Sequence, residues 1–284
     1  MEINGRTRVC AVIGNPVEHS MSPCMHNAAY QALGLDFVYV AFRVTEIEKV
    51  IDGMHAFNIR GLSVTIPHKV SILPLLDEVS PLGQQIGAIN TVTLEAGRLY
   101  GTNTDCYGAL QTIEDHESID GKRITILGAG GAARAIAYAL ACERKPDSIT
   151  LAARNPLKAE ELVAELSEQS LVQISHISFA ESELRENLQQ AHIIVNTTPI
   201  GMFPKVEECP VPEESLQEHH LVFDMIYNPL ETVLLQRARR RGARGVNGVP
   251  MFVYQGAEQF RIWTGQEPPI GVMRSAVEKA LGKV

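Results

Sequence analysis

The sequence lacks three features that would indicate a secreted or membrane protein: a disulfide pattern, a leader-like start and a long apolar run. Its five cysteines are scattered, odd in number and form no C-x-x-C pair, as is typical of reduced thiols rather than of a disulfide framework or a zinc site. The first residues have no apolar core, and no uninterrupted apolar stretch is long enough to cross a bilayer. We therefore expect a cytoplasmic protein without a membrane partner.

Positive charge is also scarce, with 25 Lys and Arg residues against 33 Asp and Glu residues and a net charge of −8. This acidic balance argues against a nucleic-acid-binding surface. The sequence has no internal repeat, no low-complexity segment and no cluster of His, Cys and Asp at metal-ligand spacing, so we expect no nucleic-acid partner and no metal. What is present, 45% hydrophobic residues over 284 positions, fits a globular chain of two domains.

A glycine-rich turn at residues 123–134 organises the second half of the chain. Residues 124–127 predict a short buried strand, and an Ala-rich helix follows the turn, which has the form G-x-G-x-x-A. Gly128 permits the tight turn, Gly130 lets a pyrophosphate approach the backbone, and Ala133 allows close packing of helix and strand. The free N–H groups at the helix start would face the phosphates. The pattern favours a Rossmann-type dinucleotide-binding domain over a purely structural turn.

The next predicted strand, residues 148–153, ends at Arg154, and Lys158 follows one turn later. In an NAD-specific fold an acidic residue at this place holds the ribose 2′-hydroxyl, and that residue would repel a 2′-phosphate. A guanidinium can instead bind a 2′-phosphate through two hydrogen bonds. Arg154 therefore predicts NADP rather than NAD as the cofactor, with a solvated Arg in a loop as the alternative.

Two serines follow the first predicted strand, at residues 9–13. Ser20 and Ser22 lie between this strand and a predicted helix, where hydroxyl groups can bind a carboxylate. Because Ser22 precedes Pro23, it could equally be only the N-cap of that helix.

Three more polar side chains follow predicted strands of the first half, namely Lys69, Asn90 and Asp105. Lys69 lies at a predicted helix start, where a cation is electrostatically disfavoured. The alternatives are a solvated lysine and, for Asp105, an N-cap. Since ligands bind at the carboxyl ends of the strands in a mainly parallel sheet, we expect these side chains and the two serines to face one cleft.

The alternation of predicted strands and helices indicates the α/β class. We expect residues 1–104 to form the first part of an N-terminal, mainly parallel α/β substrate domain, and residues 105–247 to form the Rossmann-type domain. Residues 245–250 predict a hinge, and two apolar-periodic helices follow it. We expect residues 248–284 to return to the substrate domain and complete it.

These motifs occur in an order that resembles the shikimate dehydrogenase family, and the resemblance covers nearly the whole chain. The matching segments are residues 14–23, 64–69, 88–91 and 103–105, the glycine turn, and residues 196–201, 224–229 and 255–257. The resemblance implies an oxidoreductase that reversibly reduces 3-dehydroshikimate to shikimate with NADPH. That reaction belongs to the shikimate pathway of chorismate and aromatic amino acid biosynthesis.

The resemblance also implies a role for individual residues. Lys69 and Asp105 look like the catalytic pair; we assign Lys69 as the proton carrier and Asp105 to orienting the substrate hydroxyl and Lys69. The implied substrate-binding residues are this pair with Ser20, Ser22, Thr65, Asn90, Tyr227 and Gln255. The implied cofactor-binding residues are Gly128, Ala129, Gly130, Gly131, Ala132, Ala153, Arg154, Asn155, Lys158, Thr197, Met225 and Gly248.

Two positions depart from the family pattern. Ser63 stands where the family usually has Asn before the lysine motif, and Ala153-Arg154-Asn155 stands where it usually has Asn-Arg-Thr. The retained Arg154 still favours NADP, but its neighbours leave the strength of that preference open. Two other functions stay open: an NAD-using quinate/shikimate dehydrogenase, and a non-catalytic NADP-sensing protein. The sequence allows either a monomer or a homodimer.

Overall fold

The computed structural model describes residues 2–282 and contains two compact units. The first unit ends at Gly108 and resumes at Phe252, and the second runs from Ala109 to Met251. These described residues form two six-stranded sheets. Within the described residues, no helix combines the length and the apolar character that a membrane span requires.

Strands and helices alternate along most of the chain. The strands are β1 Arg8–Gly14, β2 Phe37–Arg43, β3 Gly61–Val64, β4 Glu78–Val79, β5 Thr91–Glu95, β6 Arg98–Thr102, β7 Arg123–Leu127, β8 Ser148–Ala153, β9 Gln173–Ser178, β10 Ile193–Asn196, β11 Leu221–Asp224 and β12 Arg244–Val246. The helices are α1 Ser22–Ala32, α2 Ile47–Phe57, α3 Pro81–Ile86, α4 Asp105–Glu114, α5 Gly131–Glu143, α6 Pro156–Ser167, α7 Glu181–Gln190, α8 Val233–Arg240, α9 Val249–Thr264 and α10 Ile270–Ala280. Short 3₁₀ helices lie at Leu73–Leu75 and Glu213–Ser215.

The sheet of the first unit has the strand order β2-β1-β3-β5-β6-β4. β1 pairs in parallel with β2 and β3, and β6 pairs in parallel with β4. Only β5 runs against its neighbours β3 and β6. The predicted mainly parallel sheet is therefore confirmed. Because of these directions, β1, β3 and β6 all end at one edge of the sheet, and β5 begins at that edge.

The core of the first unit lies on both faces of this sheet. On one face, Ile13, Leu62 and Val92 pack against Met54 of α2. On the other face, an aromatic layer is formed by Phe37 and Tyr39 of β2 with Tyr30, Phe260 and Trp263 of the helices α1 and α9. α10 packs on α1 beside this aromatic layer. Burial on both faces explains why β1 is a nearly continuous apolar run.

The second unit has an entirely parallel sheet with the order β12-β11-β10-β7-β8-β9. Counted from β7, this is the doubly wound order 3-2-1-4-5-6 of dinucleotide-binding folds. The switch point lies between β7 and β10, so the crevice for a ligand opens at the carboxyl ends of these two strands. The Rossmann-type sheet expected from the glycine turn is therefore confirmed, and with it the α/β class.

The structure corrects two local predictions. Ser22 is the first residue of α1 rather than its cap, because the N-cap position falls on Met21, which makes no side-chain capping bond. Lys69 lies in a series of turns and not at a helix start, since the Lys69 carbonyl accepts from the Ile89 amide instead of from a helical turn. The stretch predicted as a hinge contains the end of β12 and the start of α9, and its role as a hinge stays a prediction.

Five elements have no counterpart in the sequence predictions: the strands β4, β9 and β12 and the helices α3 and α7. α7 buries only Leu184 and Leu188, so its apolar pattern is too sparse to stand out. β9 is partly exposed along its length and carries only two isoleucines.

Candidate active site

An ion pair between Lys69 and Asp105 lies at the edge of the first sheet where β3 and β6 end. Lys69 follows β3 by one turn, and Asp105 is the first residue of α4, just after β6. The Lys69 Nζ lies 2.6 Å from Asp105 Oδ2. Their side chains are 32% and 19% exposed, so the pair is partly shielded but open to a ligand. The predicted convergence of these two residues is borne out by this contact.

Asn90 completes the environment of the Asp105 carboxylate. It immediately precedes β5, which begins at the same sheet edge, and its Nδ2 donates to Asp105 Oδ1 over 2.8 Å. The Asn90 Oδ1 accepts from the Thr104 amide at 2.8 Å and from the Thr91 hydroxyl at 2.7 Å. Since an amide N–H can only donate, the Thr104 contact fixes which end of the Asn90 side chain faces Asp105. Both carboxylate oxygens of Asp105 therefore have a fixed donor.

The two predicted serines follow β1, which ends at this edge as well. The Ser20 hydroxyl accepts from the Ser22 amide at 3.3 Å, and Ser22 is buried at the first turn of α1. α1 has no side-chain cap and no acidic residue in its first turn. The positive dipole end of α1 therefore suits an anion beside these hydroxyl groups.

Thr65 and Gln255 complete the predicted substrate set of the first unit. Thr65 follows β3 directly, and its amide donates to the Ile13 carbonyl at 3.0 Å. Gln255 is a buried residue of α9, and its side-chain amide donates to the Phe252 carbonyl at 2.8 Å. The structure thus joins Lys69, Asp105 and Asn90 directly, while the roles of Thr65 and Gln255 stay predictions.

The remaining predicted substrate residue, Tyr227, belongs to the second unit, in the segment that follows β11. Burial raises the pKa of its phenol. In the same segment the Met225 amide donates to the Asn196 carbonyl at 3.1 Å. The backbone of Gly248 packs so closely against the Met225 carbonyl that a Cβ there would collide with it. Met225 and Gly248, predicted to border the nicotinamide, are therefore neighbours.

A buried carboxylate supports this segment. Asp224, the last residue of β11, accepts from the Thr232 hydroxyl at 2.6 Å and from Asn196 Nδ2 at 3.0 Å. Burial raises the pKa of Asp224, although these hydrogen bonds act in the opposite direction. The sequence predictions assigned no role to Asn196, Asp224 or Thr232, although the first two lie within motifs quoted for the family resemblance.

The glycine turn has the predicted geometry. β7 ends at Leu127, Gly128 has a φ of +118°, and Gly130 is the N-cap of α5. A Cβ at Gly128 would lie 2.6 Å from the Thr197 hydroxyl, so only glycine fits between the ends of β7 and β10. A Cβ at Gly130 would meet no atom within 4 Å, so the space in front of the helix start is open.

A cavity of about 510 Å³ lies in front of this turn. The predicted cofactor residues that line it are Gly128, Ala129, Gly130, Ala153, Arg154, Asn155, Lys158 and Thr197. Gly131, Ala132, Met225 and Gly248 do not line this cavity. The sequence predictions missed Phe179, which follows the unpredicted strand β9, and the segment 198–200 after Thr197.

The residues of this cavity suit an anionic dinucleotide. Among the described residues that line it, Arg154 and Lys158 are cationic and none is acidic. Asn155 caps α6 through a 3.4 Å contact from the Lys158 amide to its Oδ1, which anchors the segment between the two cations. The open face at Gly130, the uncapped start of α5 and the two cations therefore fit the phosphate groups of NADP.

Profiles of known families match three stretches that together cover most of the chain. The profile "Shikimate dehydrogenase substrate binding domain" matches residues 12–92. The profile "Shikimate / quinate 5-dehydrogenase" matches residues 110–225, and "Shikimate 5'-dehydrogenase C-terminal domain" matches residues 248–278.

Individual proteins agree with these profiles. The NADP(+) shikimate dehydrogenase of Methanocaldococcus jannaschii is 47% identical over 280 residues, which are 97% of this chain and 98% of that protein. A crystal structure of a shikimate dehydrogenase in complex with NADP+ has a TM-score of 0.91 and 45% identity, covering 99% of this chain and 98% of its own. The crystal structure of the Listeria monocytogenes shikimate 5-dehydrogenase in complex with shikimate and NAD has a TM-score of 0.92 and 35% identity. The match covers 97% of this chain and 98% of the Listeria chain.

Proposed function

The chain belongs to the shikimate dehydrogenase family, and we propose from this premise that it reversibly reduces 3-dehydroshikimate to shikimate with NADPH. The observation that supports this most directly is the Lys69–Asp105 ion pair, which is partly open to solvent and held by Asn90. A ketone reductase needs such a donor, because negative charge grows on the carbonyl oxygen during reduction.

Lys69 supplies the proton in this proposal. When bound, NADPH provides the hydride that adds to the carbonyl carbon of the substrate. As that carbon accepts the hydride, the Lys69 ammonium donates a proton to the carbonyl oxygen, which becomes the hydroxyl of shikimate. The neutral amine then recovers a proton from solvent. In the oxidising direction the neutral amine accepts the hydroxyl proton by the same route.

Asp105 positions Lys69 and the substrate hydroxyl. One carboxylate oxygen holds the ammonium at 2.6 Å, and the other is held by Asn90 at 2.8 Å. When the ammonium turns toward the carbonyl oxygen, the bond from Asn90 keeps the Asp105 carboxylate in place. This arrangement lowers the reorganisation needed to reach the transition state.

The substrate carboxylate would bind at Ser20 and Ser22, where two hydroxyl groups lie at the uncapped start of α1. The other substrate-contact residues of the proposal are Thr65, Asn90, Tyr227 and Gln255. For the cofactor, the glycine turn would hold the pyrophosphate, and Arg154 and Lys158 would hold the 2′-phosphate. A cytoplasmic location and a monomeric or homodimeric state complete the proposal.

The experiment that tests this function is a nicotinamide absorbance assay of the purified protein with shikimate or quinate, each with NADP+ or NAD+. We expect the highest kcat/KM for shikimate with NADP+. A preference for quinate with NAD+ would replace the proposal by the quinate-oxidising alternative. NADP+ binding without turnover of either substrate would replace it by the NADP-sensing alternative.

A further inference from the structure

A chain of buried hydrogen bonds leads from the aromatic layer of the first unit to the Lys69–Asp105 pair. It starts at the Tyr39 hydroxyl, which donates to Ser63 Oγ at 2.6 Å, and Ser63 in turn donates to Gln259 Oε1 at 2.7 Å. The Gln259 Nε2 donates to Thr91 Oγ1 at 2.9 Å. Thr91 donates to Asn90 Oδ1 at 2.7 Å, and Asn90 donates to Asp105.

Gln259 is the central link of this chain. Its side chain is 1% exposed and comes from α9, whereas Asn90 and Thr91 lie at the start of β5. Its Nε2 also donates to the Asn90 carbonyl at 3.2 Å. A carbonyl can only accept, so this contact shows that the amide NH₂ group of Gln259 faces β5 and that its amide oxygen faces Ser63.

Because the Gln259 side chain has this fixed orientation, the hydrogen bonds from Gln259 through Thr91 to Asn90 all donate in the same direction. Because Gln259 donates to the Thr91 hydroxyl, the hydrogen of that hydroxyl is free for Asn90 Oδ1. Gln259 therefore holds Asn90 at its carbonyl directly and at its side chain through Thr91. Asn90 then presents its Nδ2 to Asp105, the partner of Lys69.

We propose that Gln259 is a positioning residue for the reaction, which acts through Thr91 and Asn90 on the Lys69–Asp105 pair. The proposal rests on the proposed reductase function, since it assigns Gln259 a role in that catalysis. Gln259 touches neither Lys69 nor Asp105 in this chain of bonds; it stabilises the geometry of the group that holds Asp105. A buried, fully hydrogen-bonded network of this kind is rigid, and loss of one member leaves the others unpaired.

The test is a double-mutant cycle on kcat with Gln259→Leu, Thr91→Val and the double variant, using the substrate pair that the wild type turns over fastest. We expect each single variant to lose about tenfold in kcat, because a small misplacement of a catalytic group can cost up to about 100-fold. The KM for the organic substrate should change much less than kcat. If Gln259 acts through Thr91, the double variant should lose little more than the worse single variant.

Three controls separate positioning from stability. Thr264→Val removes a partly buried hydroxyl at the end of α9 that donates to the Phe260 carbonyl and accepts from the Gln266 amide, outside the network of Gln259, and should leave kcat unchanged. Thr91→Ser retains the hydroxyl and should restore most of the activity lost in Thr91→Val. Ser63→Ala acts at the other end of Gln259 and should also lower kcat, which keeps the test decisive if Gln259→Leu does not fold.

Two results would overturn the role of Gln259. One is a set of variants with lower unfolding temperatures but wild-type kcat; the other is a double variant in which the two losses multiply. Absence of turnover by the wild type would instead overturn the proposed function itself, so the two failures are distinguishable.

Discussion

We predict that the buried His26 makes the stability of the first unit depend on pH. It lies in α1, is fully buried, and stacks on Tyr39 with ring centroids 4.3 Å apart. Trp263 lies 5.5 Å away on α9. Burial lowers the pKa of His26 from 6.5 to about 3, with a smaller opposing contribution from Gln259. Because the folded unit disfavours the charged ring, we predict that acidification destabilises this unit.

The sign and size follow from the two pKa values. Between pH 6.5 and about 3 the unfolded chain binds a proton at His26 that the folded chain does not, so stability falls as the pH falls. The stability that depends on a neutral His26 is fully present above pH 6.5, and it is fully lost once the pH is below the pKa of His26 in the folded chain. Each unit of pH within this window costs about 1.4 kcal/mol. Lowering the pH to 4.5 should therefore cost about 3 kcal/mol from this one residue.

The assay is urea unfolding at pH 7.5 and pH 4.5, followed by tryptophan fluorescence. Trp263 is the single tryptophan of the chain and is 1% exposed, so its emission reports on the first unit. His26→Phe removes the titrating nitrogens but retains an aromatic ring. The variant should lose about 3 kcal/mol less than the wild type on acidification.

Acidification also changes the protonation of carboxylates and other histidines. The test therefore compares the loss of unfolding free energy between wild type and variant, and not the total loss in either protein. Exposed His55 on α2 offers the matched control: His55→Gln should keep the full pH dependence of the wild type. An equal loss of stability in His26→Phe and wild type would refute the reasoning, because it would mean that His26 takes up its proton without unfolding.

Two predictions concern catalysis and cofactor choice. Lys69→Ala should lower kcat by about 100- to 10,000-fold, the usual worth of a general acid, while the Kd for NADPH measured by fluorescence stays unchanged. Weaker NADPH binding with normal turnover would contradict that role. Arg154→Ala should weaken NADPH binding by about 10- to 100-fold through loss of a charged hydrogen-bond pair, and NADH binding far less. Equal losses for both cofactors would count against a 2′-phosphate contact.

Local sequence patterns were sufficient to predict the glycine turn and the two cations near it, Arg154 and Lys158. The glycine turn predicts a strand, a sharp bend and a helix within a few residues. The structure has the matching local features: the positive φ of Gly128, the open space at Gly130 and the helix that begins at Gly131. Arg154 and Lys158 could be placed because they follow a recognisable buried strand. Phe179 was missed because the strand before it, β9, has no clear apolar pattern and was not predicted.

The Lys69–Asp105 contact could be predicted only in outline. Both residues follow strands, and the parallel directions of β3 and β6 bring such positions to one edge of the sheet. The 2.6 Å contact itself depends on the turn that carries Lys69, which the sequence led us to expect as a helix start. The conformation of this turn depends on the hydrogen bond from the Ile89 amide to the Lys69 carbonyl, and no sequence pattern near Lys69 indicates that bond.

Ser63 illustrates why a departure from a family pattern has little meaning until its partners are known. In the sequence it was a small residue in place of the family's usual Asn, and no consequence could be assigned to it. In the structure its hydroxyl joins Tyr39 to Gln259, a residue 196 positions away along the chain. No periodicity links positions so distant, because their contact requires the C-terminal helix α9 to pack over β3 and β5. If Gln259 positions Asn90 as proposed, the residue at 63 influences catalysis without touching substrate, and Ser63→Ala should lower kcat more than KM.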